Sequence, residues 1–242
     1  MQQPSQLGAA VTDLQVNSFK RNAMPIPFDE FRPIFPPHPA AKWRPEELAS
    51  VTGYLAQYKY DDWRTLVYVF PDGEIQLYGR KKQRLARYRP PLELIRSLEA
   101  LNFSKGKFQV LDGGLLHYKT ERVKDTLVLW DVLVYDGQYL IGTNFTQRYG
   151  ILEEMTGRPE NWVYLAAGAL RIPVGLQISG NLWLAPVFSS NFSELYKNAS
   201  QLPEIEGLVL KDPNAPLQRA WTMDENATWM IRVRKPEVHY RF

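Results

Sequence analysis

The residues of this chain that could do chemistry are amines, guanidiniums and carboxylates, gathered in a few short segments. Lys59-Tyr60-Asp61-Asp62-Trp63-Arg64 sets a lysine two residues before an aspartate and five before an arginine. Val110-Leu111-Asp112-Gly113-Gly114-Leu115 and Leu129-Trp130-Asp131 follow, then Glu206-Gly207-Leu208-Val209-Leu210-Lys211, and Trp229-Met230-Ile231-Arg232-Val233-Arg234 closes the series. A lone Lys-x-Asp says little; the ordered series says more. Arg232 and Arg234 alternate, so on a strand both face one side. Arg80 to Arg89 holds six cations in ten residues (Arg80, Lys81, Lys82, Arg84, Arg87, Arg89), with Tyr78 and Tyr88 interleaved. That density suits a phosphate backbone. Cysteine is absent, which excludes a thiolate nucleophile, a thiolate metal site and a disulfide framework. His38, His117 and His239 stand too far apart to form a metal-spaced pair.

The elements that must hold these residues read as mostly β. Leu66 to Phe70, an Asp72-Gly73 turn and Glu74 to Tyr78 predict a hairpin, and Leu127 to Tyr135, Asp136-Gly137 and Gln138 to Ile141 predict a second. Strands also fit Phe108 to Leu111, Leu182 to Phe188, Gly207 to Lys211 and Trp229 to Val233. Helical spacing marks Pro91 to Leu101, Thr146 to Met155 and Ser189 to Ala199. The expected fold class is α+β, antiparallel sheets flanked by a few helices. Residues 1 to about 50 form a separate proline-rich extension: Pro25, Pro27, Pro33, Pro36, Pro37 and Pro39 prevent long regular structure. Phe28, Phe31 and Phe35 among them predict a segment laid on the main domain, residues 51–242.

At 242 residues and 45% hydrophobic the chain can build a real core, and a net charge of +3 is too small to imply a nucleic-acid or membrane partner by itself. The most apolar stretch, Trp162 to Ile178, is broken by Arg171, Pro173 and two glycines. Those breaks favour strand and turn over a membrane helix. No signal peptide is visible. The expectation is a monomer, without a membrane partner, in the cytoplasm (the host's, if viral).

The ordered series resembles the covalent nucleotidyltransferase superfamily of ATP-dependent DNA ligases, RNA ligases and capping enzymes, in the form of a phage-type minimal ligase. The resemblance runs from about Tyr54 to Lys235. Lys59 to Arg64 is similar to K-x-D-G-x-R, and Glu206 to Lys211 is similar to E-G-[LV]-V-x-K. The resemblance implies an ATP-dependent polynucleotide ligase that seals 5′-phosphate and 3′-hydroxyl ends of RNA or DNA, at nicks or free ends, through AMP carried covalently on Lys59. It implies Lys59, Asp61 and Glu206 as catalytic residues. ATP would be bound by Gln57, Lys59, Arg64, Arg80, Trp130, Lys211, Arg232 and Arg234: Gln57 toward the adenine amino group, Arg64 on the ribose, Trp130 stacked on the base. Lys211 would reach the α-phosphate. Mg²⁺ or Mn²⁺ would sit on Glu206, with Asp112 as a second carboxylate. Lys81, Lys82, Arg84 and Arg87 would contact nucleic acid.

The pattern departs from the family in three places. Asp62 stands where the family has glycine, and Gly114 where it has the glutamate of L-D-G-E. Asp112 could compensate from the same loop, and otherwise Gly114→Glu is expected to raise the ATP-dependent rate. The chain also ends soon after Arg234, with no room for a trailing oligonucleotide-binding-fold domain, which tilts the expected substrate toward RNA. These departures keep open a second reading, a catalytically weakened ligase-like protein that binds nucleotide or nucleic acid.

Overall fold

The structure, a computed structural model, describes residues 35–218 and 226–236. Pro25, Pro27, Pro33, Phe28, Phe31 and His239 lie outside the described residues. A smaller sheet has the order β1 (Pro39–Trp43), β12 (Ala227–Arg234), β11 (Ile205–Lys211) and β2 (Leu55–Tyr60). A larger one runs β4 (Ile75–Gly79), β3 (Trp63–Val69), β5 (Gln109–Leu116), β6 (Thr126–Tyr135), β10 (Leu182–Leu184), β9 (Leu170–Ser179) and β8 (Trp162–Ala167), with β7 (Gln138–Tyr139) paired to β6. Pairing is antiparallel except for β1 with β12 and β10 with β6. The α-helices among the described residues are α1 (Leu92–Glu99), α2 (Phe145–Met155) and α3 (Phe192–Ala199), beside a short 3₁₀ helix over Pro45–Ser50. This is the expected α+β architecture.

Both predicted hairpins form. Asp136 and Gly137 take φ of 53° and 72°, the left-handed pair that a tight two-residue turn needs. Trp162 to Ile178 folds as the β8–β9 hairpin, and no helix among the described residues is long and apolar enough to cross a membrane. The strand expected over Leu182 to Phe188 stops at Leu184. Beyond it the chain leaves the larger sheet, and Phe188 bridges to Ala56 of the smaller one. Strand β1 is built from the proline-rich segment itself, where alternate residues of Pro39–Trp43 are buried or half-buried against β12.

Two hydrophobic cores result. One lies under the larger sheet with α1 and α2, around Leu66, Leu94, Leu98, Leu111, Leu133 and Phe145. The other lies between the sheets, where Tyr58, Leu208, Leu210, Ile231 and Val233 meet Val128, Val174 and Trp183. Helix α2 is tied to β6 by an ion pair buried beside the core: Arg148 Nε donates to Asp131 Oδ1 at 2.8 Å and Nη2 to Oδ2 at 3.1 Å. With β2, β11 and β12 alternating, one face of the small sheet enters the inter-sheet core and the other is free for polar side chains. The chain passes from the small sheet to the large one through the two residues between β2 and β3, Asp61 and Asp62.

Candidate nucleotide site

The polar face of the small sheet is one wall of a cleft of about 450 Å³, within the usual range of ligand pockets. Register stacks its side chains in rows. Lys59 lies opposite Gly207, and Gly207 opposite Arg234; Gln57 lies opposite Val209, and Val209 opposite Arg232. Strands β3 and β6 supply the other wall through Arg64 and Trp130, while His38, Arg80, Leu85 and Lys119 close the sides.

Glu206 should face away from Lys59, being one residue out of step with Gly207. A register shift between Ile205 and Gly207 turns it back. Gly207 at the shift has φ of 151°, and a Cβ there would lie 1.9 Å from the Val233 carbonyl oxygen, so only glycine fits. Glu206 then pairs through Oε2 with Lys59 Nζ and, at 3.2 Å, with Arg234 Nη2. Burial raises the Glu206 pKa, but Lys59 and Arg234 outweigh it and hold the carboxyl below its ordinary range. Asp61 is raised, by burial first and also by its hydrogen bond with Glu206, against the pull of Lys119, whose Nζ is 3.0 Å from Asp61 Oδ1.

On the opposite wall Arg64 donates through Nε and Nη2 to Asp112 and through Nη2 to the Pro37 carbonyl at 2.9 Å. The Trp130 indole also hydrogen-bonds Asp112. Arg64 lies 5.1 Å from the Trp130 ring centroid. Gln57 is 2% exposed; its Nε2 donates to the Ala185 carbonyl at 3.3 Å and its Oε1 accepts from Lys211 Nζ at 2.6 Å. Arg64, Arg80 and Arg232 crowd His38, whose pKa falls to about 4 through burial and then these charges. The buried Nε atoms of Arg232 and Arg234 have no hydrogen-bond partner among the described residues. Unmet guanidinium donors beside a lysine and a carboxylate make an anion site, of the kind that phosphate fills.

No family model matches the chain, and no curated protein matches its sequence. Solved structures do. The chain is similar to a mycobacterial DNA ligase D complexed with ATP and MES, with a TM-score of 0.56 and 16% identity over 86% of this chain and 62% of that one. It is similar to the ligase domain from M. tuberculosis LigD (TM-score 0.55, 17% identity, 85% of this chain and 60% of that one). A structure from work on Lig E DNA ligases as a minimal DNA-binding scaffold aligns at TM-score 0.50 and 15% identity, over 84% and 70% of the two chains. The fold is that of the ligase-type nucleotidyltransferase domain. The chain spans about three fifths of the length of the two ligase D structures it matches.

Within this nucleotidyltransferase fold, most of the expected site residues meet. Gln57, Lys59, Arg64, Arg80, Trp130, Glu206, Lys211, Arg232 and Arg234 all line the cleft. Asp61 lies behind it, hydrogen-bonded to Glu206. Two expectations need correction. Asp112, read as a metal ligand, is 1% exposed and its carboxylate is taken by Arg64 and Trp130. It holds Arg64 and Trp130 in place instead. Lys211, read as an α-phosphate contact, sits four residues along β11 from the Lys59 row, about 13 Å on strand geometry. Its amine is on Gln57 and 4.0 Å from the centroid of the Phe145 ring.

In the basic run, Arg80 reaches the cleft and Lys81, Arg84 and Arg87 are exposed. Lys82 departs from the expectation of a solvent-facing cation, because its amine lies over the Phe35 ring, 3.8 Å from the centroid. The charged or titratable cleft residues His38 and Lys119 were not singled out from the sequence, and Asp62 was noted there only as a departure from the family pattern. His38 and Lys119 have no local motif, and Lys119 reaches Asp61 only through folding.

Proposed function

We propose that the chain is the adenylation domain of an ATP-dependent polynucleotide ligase, with the proline-rich segment as its N-terminal extension. The observation that carries this is Lys59 in the middle of a phosphate-sized cation cluster, with Glu206 on one side and the Trp130–Arg64 wall opposite. ATP lies with its base on Trp130 and Val209 and its amino group toward Gln57, whose carbonyl keeps one lone pair beyond the Lys211 bond. Lys59 Nζ passes its proton through Glu206 to water and attacks the α-phosphorus; the N–P bond forms as the bond to pyrophosphate breaks. Attack needs the amine to leave its ion pair with Glu206. Arg232 and Arg234 meet the charge that builds on the phosphate oxygens. The AMP then passes to a 5′-phosphate, and a 3′-hydroxyl displaces it.

The donor set fits a divalent cation. Glu206 and the adjacent Asp61 are the two carboxylates that would hold Mg²⁺ or Mn²⁺, with substrate phosphates and water completing the ligand set. Bound there, the ion would neutralise phosphate charge. Nucleic acid follows the exposed cations from Arg80 outward. Duplex DNA nicks are the first substrate to try, because the structural neighbours are DNA ligases, and RNA ends the second.

Intact-mass measurement after incubation with ATP and Mg²⁺ should show one added adenylyl group, absent with GTP and absent in Lys59→Ala. ATP binding without that adduct would leave only the binding-protein reading, and a labelled Lys59→Ala would remove Lys59 as nucleophile. Sealing of nicked DNA and of RNA by the labelled protein then ranks the substrates.

A further inference from the structure

Asp62 is the cleft carboxylate that none of these roles uses. It occupies the crossing between the sheets and lines the cavity. Its side chain rests on the bare backbone of Gly114 in β5: a Cβ added there would be 2.5 Å from Asp62 Cγ, 2.7 Å from its Cβ and 2.6 Å from Trp130 Cη2. No hydrogen bond or ion pair reaches the Asp62 carboxylate from the described residues. The cations that act on it through space are Lys59, Arg64 and Lys119, and each is already paired, with Glu206, Asp112 and Asp61 respectively. A half-buried carboxylate at the cleft wall with no protein partner is a free acceptor for a donor that enters the cleft.

The occupant's chemistry follows from the neighbours. A phosphate would be repelled by a carboxylate, and the base belongs to the Trp130 face. Between the base on Trp130 and the phosphate at Lys59 a nucleotide has its sugar, and Asp62 sits beside the edge of Trp130 and within the field of Lys59. Sugar hydroxyls are neutral donors that a carboxylate accepts well.

We infer that Asp62 is the sugar-binding carboxylate of this cleft and that Gly114 is its cradle, so that the two departures from the family pattern are one exchange. A hydroxyl of the ribose donates to Asp62, and a side chain at position 114 cannot coexist with the one at 62. This rests on the nucleotide reading above and deepens it. It also reverses the expectation for Gly114→Glu, which introduces atoms into space that Asp62 already fills.

The test is titration with ATP, 2′-deoxy-ATP and 3′-deoxy-ATP, without divalent cation so that binding is read and not transfer. The wild-type protein should bind ATP about tenfold more tightly than the analogue lacking the bonded hydroxyl, the worth of one hydrogen bond to a charged group. Asp62→Ala should bind ATP as weakly as that analogue, and Asp62→Asn, which keeps the volume, should lose most of the preference. Gly114→Glu should weaken all three nucleotides, and Asp62→Gly with Gly114→Glu should bind more tightly than Gly114→Glu alone. Loss of affinity by the same factor for all three nucleotides in Asp62→Ala would overturn the inference and leave the nucleotide cleft standing. An unchanged preference in Asp62→Asn and Asp62→Ala would do the same. Failure of the wild-type protein to bind any of the three would overturn both readings.

Discussion

Lys211 shows how a single buried amine ties stability to pH. It is 3% exposed, and burial lowers its pKa to about 7 against the opposing pull of Asp131 and Asp112. In the unfolded chain the same amine titrates near 10.5. Between these values the unfolded state binds a proton that the native state does not, so stability rises with pH. Below about 7 both states are protonated and the penalty of burying the charge is fully present. Wild-type protein should therefore gain up to about 1.4 kcal/mol per pH unit over Lys211→Met across pH 7.5 to 9.5. Urea unfolding at several pH values checks this, and parallel curves for the two proteins would remove the assignment. Asp112 teaches a related point: a carboxylate that looks like a metal ligand in sequence is fully used in fixing an arginine and an indole.

At the scale of elements, the site depends on one irregular strand. Without the register shift in β11, Glu206 would point into the inter-sheet core and Lys59 would face a bare row. Gly207→Ala must separate β11 from β12, since its Cβ would lie 1.9 Å from the Val233 oxygen. We expect a loss of about 3 kcal/mol or more, which at roughly 2–4 °C per kcal/mol for a chain of this size is a clear fall in Tm. Lysine adenylation should fall with it. Glu206→Ala separates the two effects: it leaves the strand pairing intact, so melting should change little while the adduct is lost. A Gly207→Ala protein that melts like wild type would show that the shift is not held by the missing side chain. The β2–β3 crossing is the second such device, because two residues there carry the chain between sheets, setting Asp62 on the cleft and Asp61 behind it against Glu206.

Over the whole molecule, the cations form a track that starts inside the cleft at Arg232, Arg234 and Arg80 and continues outside along Lys81, Arg84 and Arg87. Affinity for nicked duplex should fall steeply with salt, since each neutralised phosphate releases counterions. Replacing Lys81, Arg84 and Arg87 together with alanine should reduce the slope of log affinity against log salt by roughly 2 to 3, at about 0.9 per duplex phosphate contact. ATP binding should be unchanged. Lys82 is left out of that variant because it packs on Phe35. An unchanged slope would return the run to an ordinary solvated face.

The sequence by itself determined the parts of this protein that depend on neighbours along the chain. Alternation and Asp-Gly turns located both hairpins, three-to-four-residue spacing located α1, α2 and α3, and residue type with order singled out Lys59, Arg64, Glu206, Arg232 and Arg234, all of which the cleft collects. Tertiary structure decided whatever depends on pairing across the chain. Lys119 meets Asp61 and His38 meets Arg64 and Arg80 with no local pattern to announce them. Asp112 and Lys211 were read for the chemistry of their side chains, but the partner that occupies each, Arg64 or Gln57, is fixed by strand register. The same holds for Asp62 and Gly114, which look like two separate losses when read fifty-two positions apart. Sheet packing sets one against the other, because the space a glycine leaves has meaning only when the side chain that enters it is known.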